Sequence, residues 1–172
     1  MTMTLRRLRP EDRYDLASLA NNKKIWDNLR DQMPHPFGLH DADAFIKAKM
    51  HQEHDYVFVI AKDDKLAGMI GLHPQKDVYR NSLELGYWVG EEYWGQGLAS
   101  KAVRSILEFG FSLSNINRIF AGVLAYNKAS MKVLERNGFQ LEGIARKAST
   151  KNDVIWDEWR YAILKEEFDS HK

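Results

Sequence analysis

The 172-residue chain has no cysteine. That excludes disulfides, a thiolate nucleophile and cysteine-ligated zinc. Proline is scarce too, with four residues. No apolar run approaches the roughly 18 residues of a membrane helix. The opening MTMTLRRLRPED lacks the apolar segment of a secretory signal. The expectation is a soluble, cytoplasmic protein with no membrane partner. An excess of one charge is also missing: 25 Lys and Arg face 24 Asp and Glu, net +1. Such a balance leaves no electrostatic footprint for nucleic acid. Metal patterns are absent as well. His51 and His54 stand three apart, without a third ligand or an HExxH run, so no metal is expected. No repeat, linker or low-complexity tract divides the sequence. Its length fits one domain over residues 1–172, able to bury a core without staples. What is plentiful is aromatic: five Trp, seven Tyr and eight Phe, enough for a large core or a lined pocket.

In chain order, Leu5 to Arg9 alternates as a short edge strand. Pro10-Glu11-Asp12 starts a helix, with proline in the first turn and acids beside it. Its apolar stripe is Tyr14, Leu16, Ala17, Leu19 and Ala20. A second short helix carries Ile25, Trp26 and Leu29. The run Arg30 to His40 is held irregular by two prolines and a glycine. A third helix spans Asp41 to about Gln52, with Asp41 as N-cap and Ala44, Phe45, Ala48 and Met50 facing inward. Tyr56 to Ala61 and Leu66 to Leu72 form a hairpin around the polar turn Lys62 to Lys65. Pro74 to Asn81 is irregular. Leu83 to Val89 is the central strand, and a helix follows from about Ala99. Arg118 to Val123 is a strand, and Asn127 to Arg136 a helix closed by Asn137-Gly138. Phe139 to Ile144 is a strand, Arg146 to Asp153 a turn-rich link, and Val154 to Leu164 the last strand. This order is that of an α/β domain with a mixed central sheet flanked by helices.

Leu83 to Phe111 organises the rest. A strand feeds Gly95-Gln96-Gly97-Leu98-Ala99, which opens into an amphipathic helix. Glycines let a ligand approach the backbone closely. The N–H groups of the first helical turn suit a phosphate. A bare strand–helix turn is the plainer reading. A Rossmann site is rejected, because the turn follows the fourth strand and the next strand, ending Val123-Leu124-Ala125, carries no acid.

Trp94-Gly95-Gln96-Gly97-Leu98-Ala99 resembles the acetyl-CoA loop of the GNAT acyltransferases, Gln/Arg-x-x-Gly-x-Gly/Ala. Trp94 departs from it, standing where Gln or Arg is common. Asn127-Lys128-Ala129-Ser130, followed by Gly138-Phe139 and Glu142-Gly143, is similar to the Asn-x-x-Ser…Gly-Phe…Glu-Gly segment of the Rim-type branch, the ribosomal-protein N-terminal acetyltransferases. The resemblance runs from Leu5 to about Leu164. It implies a single-domain GNAT fold with acetyl-CoA as co-substrate and a primary amine as acceptor. That amine would be a protein N-terminus or a small amine: a polyamine, amino sugar, amino acid or antibiotic. A non-catalytic acyl-CoA-binding module is the alternative of another class. The resemblance leaves room for a homodimer.

Residues follow from chemistry and resemblance together. Freeing a lysine-like amine near pKa 10.4 costs about 4.6 kcal/mol at pH 7, but an α-amine near 7.8 only about 1 kcal/mol. Glu84 is the first candidate base: it shares a strand face with Gly86 and Trp88, opposite Leu83, Leu85, Tyr87 and Val89. An ion pair of Glu84 with Arg118 is the structural alternative. Asp157 is the second acid. It interrupts the stripe Ile155, Trp159, Tyr161 and Ile163, either for catalysis or to anchor a turn. Asn127 reads as an N-cap. The resemblance adds that Asn127 reaches the pantetheine arm and Ser130 lies near the thioester sulfur. The tyrosine that often protonates the leaving thiolate falls at Leu134, so Ser130 or water takes that role, or none is needed. Trp88, Val89, Trp94, Leu98, Ala99 and Ser100 complete the expected cofactor contacts, with an oxyanion donor near Val89. His35 and Phe37 are the expected acceptor wall.

Overall fold

The computed structural model describes residues 2–51 and 55–171. Its seven strands are β1 (Met3–Arg6), β2 (Tyr56–Lys62), β3 (Lys65–Pro74), β4 (Ser82–Val89), β5 (Arg118–Leu124), β6 (Gln140–Lys151) and β7 (Val154–Leu164). They form one sheet in the order β1-β2-β3-β4-β5-β7-β6. Among the described residues the α-helices are α1 (Arg13–Ala20), α2 (Lys23–Trp26), α3 (Leu39–Met50), α4 (Leu98–Ser112), α5 (Lys128–Arg136) and α6 (Lys165–Asp169). The expected mixed sheet with flanking helices is the fold observed. The chain groups into two compact units, Met1–Gly71 with Tyr87–Ala102, and Leu72–Gly86 with Val103–Lys172.

In the first unit β1 pairs antiparallel with β2, Met3 opposite Lys62 and Arg6 opposite Val59. The β2–β3 turn places Asp63 and Asp64 at φ 50° and 68°, the two left-handed residues a tight hairpin needs. Leu16, Ala17, Ala20, Phe37, Ala42, Ile46, Val57, Val59, Ala61 and Leu66 build the core. Arg6 clamps Asp12 through two bonds of 2.9 and 2.8 Å. The same carboxylate accepts the Arg9 N–H at 2.8 Å, so this buried acid is both paired and hydrogen-bonded.

Three local expectations are corrected here. Tyr14 is 63% exposed, because Leu16, Ala17 and Ala20 of α1 turn inward, with Leu19 packed against the same core. In α3 the inward residues are Ala42 and Ile46, not Ala44, Ala48 and Met50. That helix starts two residues early: Gly38 is its N-cap, and the Asp41 carboxylate takes the Gly38 N–H at 2.9 Å. Gln52 and His54 lie outside the described residues.

In the second unit β4 and β5 run parallel, but only Ser82–Glu84 pair with Arg118–Phe120. β5 pairs antiparallel with β7 over its whole length. Val103, Ile106, Leu107 and Phe111 of α4 are buried, and Gly110 is a close approach. A Cβ there would lie 2.7 Å from Leu72 Cδ1 and 2.8 Å from Ile119 Cδ1. Gly138 (φ +87°) closes α5 as the left-handed C′ residue. The turn-rich link expected at Arg146 to Asp153 is mostly strand. β6 runs to Lys151, with register shifts between Leu141 and Gly143 and between Ala145 and Ser149. α6 was not foreseen; its Phe168 packs 5.3 Å from the Phe111 ring.

Candidate functional site

The first unit carries the glycine loop. β4 ends at Val89, a short 3₁₀ turn covers Glu91–Tyr93, and α4 begins at Leu98. Gly95 and Gly97 both take left-handed φ, +75° and +76°. A Cβ on either would meet nothing within 4 Å. Glycine is therefore required for conformation, and the space above the loop is open. The first i→i−4 bond of α4 runs from the Lys101 N–H to Gly97 O at 3.1 Å. The N–H groups of Leu98, Ala99 and Ser100 come before that ladder, where an anion is favoured.

Side chains hold this loop in shape. Gln96 accepts from Lys62 Nζ at 2.7 Å and donates to Glu92 O at 3.2 Å. Lys62 Nζ also lies 5.6 Å from the centre of the Tyr93 ring. Burial, then Glu92 and Asp15, push the Tyr93 phenol up. Glu91 accepts from Lys24 at 2.5 Å and Asn22 at 2.7 Å, which hold its carboxyl below the usual range. Trp94, 47% exposed, donates its indole N–H to Val89 O at 2.8 Å. That bond fastens the loop to the end of β4.

Three of the expected contacts make packing interactions in this unit. Trp88 packs against the core. A Cβ on Gly68 would press into the Trp88 carbonyl oxygen, so the two strands lie close there. Phe37 is 2% exposed within the same core, which makes it a packing residue rather than a pocket wall. Its N–H donates to Asn21 at 3.0 Å. His35 stacks on Trp26, with ring centres 5.5 Å apart.

The second unit carries the acids and the second motif. Glu84 is half-buried and stands opposite Phe120, at the last pair before β4 and β5 part. Its expected partner is engaged elsewhere: Arg118 grips Glu142 at 2.7 and 2.6 Å. That grip lowers the Glu142 carboxyl and raises the Arg118 guanidinium. The Asn127 side chain caps α5, accepting the Ser130 N–H at 3.3 Å. Leu134 is fully buried. Asp157 accepts the Lys147 N–H at 2.8 Å, and its carbonyl accepts the Ala125 N–H at 3.1 Å. It thus anchors the β6 bulge, where Lys147 sits at φ 53°. The apolar stripe expected around it holds for Tyr161 and Ile163, but Ile155 is exposed.

Residues near α5 were missed. Tyr126 meets Trp156 edge-on at 4.8 Å, and Lys128 Nζ lies 4.8 Å from the Trp159 ring centre. Tyr126 and Lys128 flank Asn127 in sequence, which was the available signal.

Residues 2–140 match the acetyltransferase (GNAT) domain. The chain is 34% identical over 129 residues to the uncharacterized N-acetyltransferase YnaD of Bacillus subtilis, covering 74% of this chain and 75% of that one. It is 32% identical over 108 residues to the ribosomal-protein-serine acetyltransferase of Escherichia coli, covering 63% and 60%. Several Bacillus relatives are matched over only 56% to 65% of their length. Among solved structures, RimL, a ribosomal L7/L12 alpha-N-protein acetyltransferase in complex with coenzyme A, superposes with a TM-score of 0.84. It covers 95% of this chain and 94% of that one at 23% identity, a likeness of fold.

Proposed function

As the chain belongs to the acetyltransferase (GNAT) family, we propose that it transfers the acetyl group of acetyl-CoA to the primary amine of a protein N-terminus. The observation that carries this reading is the Gly95–Gly97 loop. It is left-handed at both glycines, open above, and leads into the unladdered N–H groups of α4. Trp94, Gly95, Gln96, Gly97, Leu98, Ala99 and Ser100 would hold the pyrophosphate there. Asn127 would meet the pantetheine arm, and the Val89 N–H would receive the developing oxyanion.

Without cysteine to carry an acetyl group, the amine attacks the thioester directly in a ternary complex. Glu84 is the acid through which the amine loses its proton. Ser130 stands where the thiolate is protonated, since Leu134 has no proton to give. A thiol near pKa 8.5 needs only about 2 kcal/mol of such help at pH 7. Asp157 orients the acceptor side through the bulge it anchors, and His35 contributes to the acceptor wall. An α-amine fits a modest base, since freeing it costs about 1 kcal/mol. Likeness to the ribosomal-protein-serine acetyltransferase supports that acceptor class.

Calorimetric titration with acetyl-CoA, followed by thiol release against N-terminal peptides and small amines, tests the proposal. Micromolar binding with release by peptides supports it. Release by polyamines or amino sugars alone moves the acceptor to the small-amine class. Absence of acetyl-CoA binding refutes the reading.

A further inference from the structure

Glu84 faces an imidazole across the β3–β4 ladder. At one end of that ladder the Gln75 N–H donates to Ser82 O at 3.2 Å; at the other the Gly90 N–H donates to Ala67 O at 2.8 Å. From Ala67 to Gln75 one strand advances eight residues, and from Gly90 back to Ser82 the other does the same. No residue is inserted between, so His73 lies directly opposite Glu84. The rung is a hydrogen-bonded one, as every second residue from Gln75 is. Cβ atoms across such a rung lie about 4.5–5.5 Å apart, on the same face of the sheet. Both residues are half-buried.

Glycine fixes where the ring goes. His73 Nε2 lies 3.8 Å from the place a Cβ on Gly86 would occupy. Gly86 is the next residue after Glu84 on that face, toward the carboxyl end of β4. The imidazole therefore leans from Glu84 along β4, just past the rung where pairing with β5 stops. The charges of β5 and β7 on this face have partners of their own. Arg118 is held by Glu142, and Glu158 lies 3.3 Å from Arg160. Phe120 of β5 and Gln75 of β3 bring no charge.

We infer that His73 and Glu84 form a cross-strand dyad, in which the imidazole takes the acceptor's proton and the carboxylate holds the imidazole. This rests on the acetyltransferase reading above. With Nδ1–H turned to Glu84, Nε2 offers its lone pair to the acceptor ammonium. The proton moves to Nε2, and the freed amine attacks the thioester carbonyl. The tetrahedral adduct expels the thiolate with the C–S electron pair. The thiolate takes its proton from the Ser130 hydroxyl, which recovers one from the new amide nitrogen, and the imidazolium releases the first proton to water. In general an imidazole accepts a proton about two pH units more readily than a free carboxylate, which makes it the better base for an amine.

Two measurements on the full chain test the dyad. The first needs no turnover: the tautomer of the neutral His73 ring is read by nitrogen NMR in wild type and in Glu84→Ala. The proton should sit on Nδ1 in wild type and move toward Nε2 when the carboxylate is gone. An unchanged tautomer overturns the dyad. The second is thiol release with an amine that wild type accepts. His73→Gln should lower kcat about 100-fold with the KM for acetyl-CoA unchanged, and added imidazole should restore part of the rate to His73→Ala. A His73→Gln enzyme with wild-type kcat also overturns it. A wild type that releases thiol with no amine at all sinks the acetyltransferase reading instead, and the tautomer still decides the pair.

Discussion

Alanine at Gly97 separates what the loop does for folding from what it does for binding. Gly97 has φ +76° and nothing within 4 Å of a new Cβ. The substitution therefore meets no clash, only a left-handed backbone, which costs an L-residue about 1–2 kcal/mol. Loss of glycine's freedom in the unfolded chain returns about 0.4–1 kcal/mol. The net is about 1 kcal/mol, a fall in Tm of about 2–4 °C for a chain this long. Binding should suffer more. If phosphates approach the loop backbone, the methyl group occupies their space, and acetyl-CoA should bind at least tenfold more weakly, about 1.4 kcal/mol. Scanning calorimetry gives the first number and titration calorimetry the second. Gly143→Ala is the control: it has open space and no left-handed φ, so both numbers should hold. A Gly97→Ala protein that melts as expected yet binds acetyl-CoA like wild type would refute the cradle.

Gly110→Ala should behave oppositely, costing about 1–3 kcal/mol by urea unfolding without a direct effect on binding, because Leu72 and Ile119 already fill its space. Leu134→Ala should cost about 2–5 kcal/mol, and Leu134→Tyr should destabilise too, since the site is closed and a hydroxyl there must find a partner. The Arg118–Glu142 pair fixes the sign of one pH effect. Its hydrogen bond lowers the Glu142 carboxyl, so its stabilisation is present above the unfolded value of about 4.3 and fades as pH falls through the lower folded one. Glu142→Gln should flatten that acid-side loss in urea titrations, by at most about 1 kcal/mol because both groups are part-exposed. Trp94→Phe keeps the ring but removes the donor to Val89 O, so stopped-flow binding should show faster acetyl-CoA release.

Elements with strong local chemistry were legible in the sequence. The Asn127 cap, the Gly138 stop and the glycine loop rest on the local chain, and all three stand in the structure. What stayed hidden depends on partners far along the chain. Phe37 was expected at a pocket wall because the resemblance puts its loop beside the acceptor, yet it is buried in the same core cluster as Leu16 and Ile46. Arg118 looked like the partner of Glu84, but β7 lies between β5 and β6 and Glu142 reaches back to it. His73 drew no notice because its significance lies in a cross-strand register, which composition and periodicity do not carry. The β6 link read as turns because Arg146 to Asp153 is polar, whereas pairing to β7 decided it.

The shifts within β6 bear on how the protein survives at high concentration. β6 is the outermost strand, twelve residues long, with Leu141 and Ile144 exposed. A straight edge of that length is a template on which other chains stack into fibrils. Here its pairing to β7 is broken into runs of two, three and three residues. Basic Arg146 and Lys147 occupy the longest break, and Lys147 turns left-handed. Such breaks twist the strand and aim its free carbonyls and amides in different directions. The irregularity that disguised β6 in the sequence is thus the device that keeps an incoming strand from zipping along it.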